Sequence, residues 1–443
     1  MKKGNLVVGL DVGTTKICAV VGEVNPIRTS RGGFFSDGAN PLDSHGNGFL
    51  AGGDNGNGST ALNRVDIVGV GSAPSKGLRK GVVVNIESTV ESIKKAVEEA
   101  ETMAGIDIKA VHVGIAGGHV SSFQSNGVIA IKEKDIGRQE MDKVIDAARA
   151  VAIPLDREVL HVMPIGFVVD GQNGISDPSG MSGVRLEANV RIITGAVTSV
   201  QNLVKSCQRA GLDVLDIVLE PLASAEAALS RDEKDVGAGI VDIGGGTTDI
   251  ALFHGGNICH TSVLTLGGNN FTNDVAIGLR VPAVEAEKIK KTGTCSLLSM
   301  TDQEEEVSIS YPGGKPGRKI PKRHLVEILQ PRAEELLYLV KEEIIQSGFH
   351  GLMTSGVVLT GGAALMKGID IMAENIFELP VRIGSPAGVG GITGIVNNPM
   401  YATGVGLVLY GAKEVAAPQK FGNGNIFHGV KTRMKGWAKG VFR

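Results

Sequence analysis

The stretch Gly239-Ile240-Val241-Asp242-Ile243-Gly244-Gly245-Gly246-Thr247-Thr248-Asp249 decides how this chain is read. It repeats the plan of Gly9-Leu10-Asp11-Val12-Gly13-Thr14-Thr15-Lys16 near the N-terminus. In both, an apolar run meets an Asp, then a Gly/Thr turn, then a second apolar run, which is the pattern of strand, tight turn and strand. Glycines let the backbone turn sharply and bring N–H groups close to an anion. Threonine hydroxyls add donors, and an Asp at a strand end suits Mg2+, often through water. A lone hairpin of this kind is as readily an ordinary β-turn. Two of them, one near the start and one past the middle, point to two similar domains gripping one nucleotide from both sides.

The chain has 443 residues, 42% hydrophobic and 21% charged, a globular composition with length for two or more cores. A net charge of −3 argues against generalised nucleic-acid binding and leaves room for a local basic patch. Cys18, Cys207, Cys259 and Cys295 show no CxxC or metal spacing and read as reduced thiols of a cytoplasmic protein. Met1-Lys2-Lys3-Gly4-Asn5 leads straight into a short strand, so no signal peptide is expected. No apolar run reaches the ~18 residues that span a bilayer, so any membrane contact is expected to be peripheral.

Residues 6–10 and 17–22 read as strands around the first turn. The following segment, 26–64, is rich in Gly and Asn and poor in large apolar residues, and reads as a flexible loop. Strand character returns at 65–70 and 81–84. Over 87–105, Val90, Ile93, Val97, Ala100 and Ala104 recur at spacings of a helix face, and Gly105 is the expected stop. Strands at 111–115 and 127–131, a helix at 139–152 and a strand at 159–163 complete an α-β-β-α-β block inside the N-terminal domain. Then come a strand (186–196), a helix (201–210) closed by Gly211, a strand (214–219), and a helix with Pro221 in its first turn. Residues 281–347 are helical and charged, interrupted by an acidic, Gly/Pro-bearing stretch at 301–317. Strands at 356–360 and 381–385 and a small-residue helix at 400–410 follow. The mixed order implies an α/β fold.

No GxxxxGK[ST], HExxH or GxSxG occurs, so the common NTPase, zinc-protease and serine-hydrolase signatures are absent. Glycine-rich turns at strand ends are present instead, in the order 11–16, 242–248, Gly267-Gly268 and Gly361-Gly362. This ordered set resembles the actin-like ATPase superfamily: an actin-like (ribonuclease H-like) two-lobed ATPase fold with an inserted α+β subdomain. By that resemblance Asp11, Gly13, Thr14, Thr15 and Lys16, with Gly244, Gly245, Gly246, Thr247 and Thr248, are the phosphate hairpins. Gly267 and Gly268 follow them, and Gly361, Gly362 and Ala363 match the adenosine turn. Glu287 and Lys290, in Ala286-Glu287-Lys288-Ile289-Lys290, match the ribose and adenine segment; by themselves they read first as an exposed i,i+3 pair, and their position between the second hairpin and the adenosine turn reverses that preference. The resemblance implies ATP as cofactor, with Mg2+ near Asp11 and Asp242, held through water. Glu220 matches the connecting segment near the γ-phosphate, where it either positions a water or serves as a cap or outer-shell group.

Closer resemblance is to the FtsA family of bacterial cell-division proteins. It is carried by 114–120 and 125–129, Asp170-Gly171-Gln172, 177–183, Arg185-Leu186-Glu187 and 76–81. Segment 26–64 departs from the family, which makes a short turn there, and Ala116 stands where the family commonly has Ser. The resemblance implies subdomain 1A at 1–85, 168–236 and 398–415, an inserted 1C at 86–167, 2A at 237–280 and 346–397, and 2B at 281–345. A linker is expected at 416–425.

Beyond it, residues 426–443 put Phe427, Val430, Met434, Trp437, Val441 and Phe442 on a helical stripe, with Lys431, Arg433, Lys435, Lys439 and Arg443 elsewhere and no acid. A helix packed on its own domain and a disordered basic tail are the plain readings. The sharper one is an amphipathic helix lying in a membrane interface, which the FtsA resemblance also implies. So read, the protein polymerises on the cytoplasmic face of the bacterial membrane at the division septum and tethers FtsZ there. The FtsZ C-terminal peptide would meet 2B, with Lys322, Arg323 and Arg332 as candidates, and downstream division proteins would follow. Catalysis would be secondary to assembly. An actin-fold sugar or metabolite kinase and a pilus-assembly scaffold of similar fold are the alternatives.

Overall fold

The computed structural model describes residues 5–26, 51–53, 61–132, 135–293, 295–302, 304–309 and 317–416. Most of the Gly-rich segment, the linker beyond Ala416 and the whole basic tail lie outside them. Among the described residues no helix is long and apolar enough to cross a membrane. All four cysteines are buried and unbonded.

Two sheets share one plan. In the first lobe, Asn5–Val12 pairs antiparallel with Lys16–Pro26, which pairs antiparallel with Ala61–Pro74. On its other edge Asn5–Val12 runs parallel to Ala110–Ile115, and that strand parallel to Asp213–Leu219. In the second lobe, Ala238–Ile243, Thr248–His254 and Asn257–Leu264 form the antiparallel run, while Val357–Thr360 and Val381–Ile383 continue in parallel. The central strands are buried on both faces, so they read as continuous apolar runs. Each carries its Asp one residue before the hairpin turn, and the two tips face each other, Gly245 backing onto Thr15 and Gly246 onto Thr14.

The helix Ile86–Ala104 starts under an Asn85 side-chain cap and stops at left-handed Gly105 (φ +67°), as its pattern predicts. It does not belong to the inserted unit, and here the expected boundary of 86–167 is corrected. Its buried stripe, Ile93, Ala96, Val97 and Ala100, packs in the first lobe's core with Leu10, Val111 and Val113. Gly71 is what allows it so close: a Cβ there would sit 2.0 Å from the Ala96 carbonyl oxygen.

The inserted unit is an antiparallel sheet of Gln172–Ile175, Arg157–Val169, Arg185–Ala196 and Ser121–Ala130, in that spatial order. The helix Arg138–Arg149 covers one face, its Val144 and Ile145 packing in one core with Val190 and Ile192 of the sheet. The unit therefore begins after Ile115 and keeps its last strand to Ala196. It also leans on the second lobe, where Arg191 donates to the Cys259 carbonyl and Ser122 Oγ to Thr261 O at 3.3 Å.

Three further expectations change. The stretch 301–317 contains one strand of a short hairpin, Glu306–Ile309 paired with Arg318–Pro321 just after it, because Val307, Ile309 and Ile320 bury against the lobe's helices. Residues 390–397, expected in 2A, belong to the first lobe: Gly390–Gly391 pairs with Ala61–Pro74, and Val396 is in that lobe's core. Ala51–Gly53, within the expected loop, is a strand paired with 61–63.

The lobes are joined by two helices that cross between them, Glu220–Ala228 and Ala402–Ala416. They approach so closely that a Cβ on Gly406 would fall 1.7 Å from the Ala223 carbonyl oxygen.

Candidate functional site

The hairpin tips, the helix crossing and the segment around Ala363 enclose an interlobe cleft of about 740 Å3. Of the residues singled out from sequence, Asp11, Gly13, Thr14, Thr15, Lys16, Gly244, Gly245, Thr247, Gly268, Glu287, Lys290, Gly361, Gly362, Ala363, Asp242 and Glu220 all line it. Gly246, Thr248 and Gly267 do not. Gly246 backs onto the Thr14 side chain, Thr248 Oγ1 donates to Leu266 O at 2.9 Å, and Gly267 precedes the helix Gly268–Leu279. They shape the second hairpin without facing the cleft.

Each tip is braced. Thr14 Oγ1 accepts from Gly81 N–H at 2.9 Å and Thr15 O from Ser75 N–H at 3.0 Å. Gly244 O and Gly245 O accept from the N–H groups of Gly268 and Asn269, both at 2.8 Å. Lys16 Nζ donates to Met400 O at 2.7 Å and lies 4.2 Å from the Tyr401 ring centroid. Across the cleft, Lys290 Nζ reaches Glu287 at 2.6 Å, Thr272 Oγ1 at 2.9 Å and Gly268 O at 3.0 Å. The Thr272 hydroxyl also donates to Glu287. This pair is thus part-buried and fixed to the lobe, unlike a freely solvated i,i+3 pair.

At the cleft floor four carboxyl groups share one buried volume. Burial pushes Asp249 up to about 8, with the Asp242 and Asp11 charges adding to it. Burial raises Asp11 to about 6 against the pull of Lys16. Glu220 is raised well above its ordinary value, first by burial and then by Asp11, Asp249 and Asp242. Asp242 is also raised by burial, but it accepts from Ser224 Oγ at 2.6 Å and from Thr403 Oγ1 at 3.1 Å, which favours its ionised form. Since Ser224 and Thr403 lie on the two crossing helices, this carboxylate ties the second hairpin to the hinge.

Sequence reading missed Asp249, Ser224 and Thr403. Asp249 pairs directly with Asp242 across the hairpin, and its Oδ1 is buried without a partner. A cation would satisfy that oxygen and relieve the mutual repulsion, so the donor set fits Mg2+. Among the described residues no three His, Cys, Asp or Glu side chains converge as a direct metal cage.

The proposed peptide-binding cations are already matched. Lys322 meets Glu305 at 2.9 Å, Arg323 meets Glu327 at 3.1 Å, and Arg332 meets Asp274 at 2.6 Å and also Glu335.

A family model described as "Cell division protein FtsA" matches residues 239–406, and one described as "SHS2 domain inserted in FTSA" matches residues 117–194. The second span agrees with the inserted sheet seen here. The chain is 42% identical to the cell division protein FtsA of Pseudomonas aeruginosa, over 100% of this chain and 99% of that one. It is 38% identical to that of Neisseria meningitidis serogroup B, over 98% of each, and 37% identical to that of Escherichia coli K12, over 92% and 90%. Among solved structures, a PilM-PilN type IV pilus biogenesis complex aligns with a TM-score of 0.59 at 16% identity, over 92% of this chain and 98% of that one. MreB5 of Spiroplasma citri bound to ADP aligns with a TM-score of 0.51 at 15% identity, over 93% and 99%. At such identities these structures speak for the shared actin-like fold alone.

Proposed function

Since the chain belongs to the FtsA family of cell-division proteins, we propose that it binds ATP with Mg2+ between its lobes, assembles with copies of itself, and tethers FtsZ filaments to the cytoplasmic face of the membrane at the septum. The observation that carries the nucleotide part is the cleft itself. Two glycine-rich tips from two like sheets face one another over a carboxylate floor, with the Glu287–Lys290 pair and Gly361–Ala363 at the far side. Phosphates suit the glycine tips, where no side chain blocks close approach to the backbone. Asp11 and Asp242, with Asp249, would hold Mg2+ through its water shell. Mg2+ supplies positive charge against the phosphate oxygens; the chain's own residues orient the nucleotide and set the lobe angle.

Membrane attachment is assigned to residues 426–443, whose apolar stripe and five cations suit an anionic leaflet. For the FtsZ peptide, Lys322, Arg323 and Arg332 are weaker candidates than a ridge on the same lobe. There, exposed Arg280, left-handed at the end of the helix Gly268–Leu279, lies in sequence between Ile277 and Val284, 77% and 73% exposed. Exposed apolar side chains beside a cation that has no ion-pair partner among the described residues suit a peptide with acidic ends.

The test combines fluorescent-ATP titration with co-sedimentation on anionic liposomes. Saturable, Mg2+-dependent binding and ATP-dependent pelleting of both this protein and FtsZ are expected. Absence of nucleotide binding, or pelleting that survives deletion of 426–443, would overturn the corresponding part.

A further inference from the structure

Beside Glu220 lies a second, much smaller space. Its volume is about 10 Å3, room for the centre of one water molecule. Val12, Gly81 and Glu220 line both this space and the cleft, so Glu220 stands in the partition between them. The far wall carries His119 and Ser199. His119 Nδ1 is buried and has no hydrogen-bond partner, a costly state for an imidazole nitrogen. The rest of the residue is part-exposed.

His119 is held at the root of the inserted unit. The Arg157 guanidinium donates to His119 O at 2.9 Å, and to Thr194 Oγ1 and O at 2.9 and 3.0 Å. One side chain thereby clamps the start of the unit to its last strand. The charged groups facing the cavity's two polar ends are Asp11, Asp242 and Asp249 for Glu220, and Arg157 for His119.

We propose that one water resides in this cavity and bridges His119 Nδ1 to the Glu220 carboxyl, making His119 a positioning residue for Glu220. His119, with its orphaned nitrogen, Glu220 and Ser199 all line this one-water volume, and a buried water needs two to four polar partners of this kind. The bridge joins the wall of the cleft to the clamp at the base of the inserted unit, across a gap that side chains do not close. Its effect on nucleotide binding rests on the reading given above; the water itself does not.

Two measurements separate the two. In a high-resolution crystal structure of the full chain, an ordered water should lie within hydrogen-bond distance of both His119 Nδ1 and a Glu220 oxygen. In nitrogen-15 spectra, the His119 Nδ1 resonance should move in Glu220→Ala without nucleotide present. A dry cavity or an unmoved resonance in the folded variant overturns the bridge. For nucleotide, His119→Leu should weaken binding of Mg2+ and ATP roughly fivefold, the worth of about one net hydrogen bond. His119→Gln, which keeps a polar end, should restore most of it. Equal effects from Leu and Gln, in variants that melt like the native chain, would mean that His119 does not position Glu220. Failure of the native chain to bind ATP would instead overturn the nucleotide reading, with the water still decided by crystal and spectrum.

Discussion

Gly361 has a φ of +87°, and a Cβ on it would lie 2.3 Å from Asp242 Oδ1. Gly361→Ala therefore meets left-handed backbone strain of about 1–3 kcal/mol and also pushes on the carboxylate that Ser224 and Thr403 hold. Calorimetry should show a lowered melting temperature, and ATP titration a loss of affinity of about tenfold or more, as for displacing a charge-assisted contact. The carboxyl cluster makes a pH prediction. With Asp249 raised from 3.8 to about 8 and Asp11 to about 6, the folded state keeps protons that the unfolded state has lost. Stability without nucleotide should then fall as pH rises from about 4 to 8, and level off above that. Thermal melts across this range check the sign. Asp249→Asn should flatten the slope, and Mg2+ with ATP should reduce it by favouring the ionised carboxylates. Asp249 escaped the sequence comparison for a definable reason. In the register of the first hairpin, the residue opposite Asp11 is Cys18, whereas Asp249 is opposite Asp242. Matching the two segments hides the one carboxyl that they do not share.

Among elements, the helix Ile86–Ala104 shows what periodicity conveys and what it omits. Spacing identified the buried face and Gly105 the end, within a residue or two of the observed helix. It could not say which sheet that face would meet. The partner was written elsewhere, in Gly69 and Gly71 of the strand Ala61–Pro74, whose missing side chains admit the helix. Nor could local pattern reveal that Gly390–Gly391 returns to the first sheet, since a two-residue strand has no period to read. The hinge offers a sharper test. Gly406→Val would set a branched side chain against the Ala223 carbonyl, 1.7 Å from its Cβ position. Overpacking of this kind costs about 1–3 kcal/mol. The variant should melt lower, and its lobe spacing should widen in small-angle scattering. An unchanged profile and melting temperature would count against the tight crossing.

At the scale of the molecule, the two-lobed plan was legible because a duplicated motif is visible without contacts, and the repeated strand order bears it out. The tail is the part whose reading rests on sequence pattern and family resemblance, since it lies outside the described residues. Its single tryptophan, Trp437, makes the test direct: anionic liposomes should shift its emission to the blue, and high salt should weaken the shift. Unchanged emission, with the protein left in the supernatant, would refute an interfacial helix. The inserted unit has the widest reach. It is spliced into one lobe by its chain, yet rests on Asn257–Leu264 of the other through Arg191 and Ser122. A module fastened at one end and propped at the other behaves as a diagonal brace. If the lobes scissor about their crossing helices, this brace must either slide along the second lobe or carry the first lobe's motion outward. In the second case a sub-ångström adjustment at the hairpin tips would reappear, magnified by the length of the lever, on the unit's outer edge.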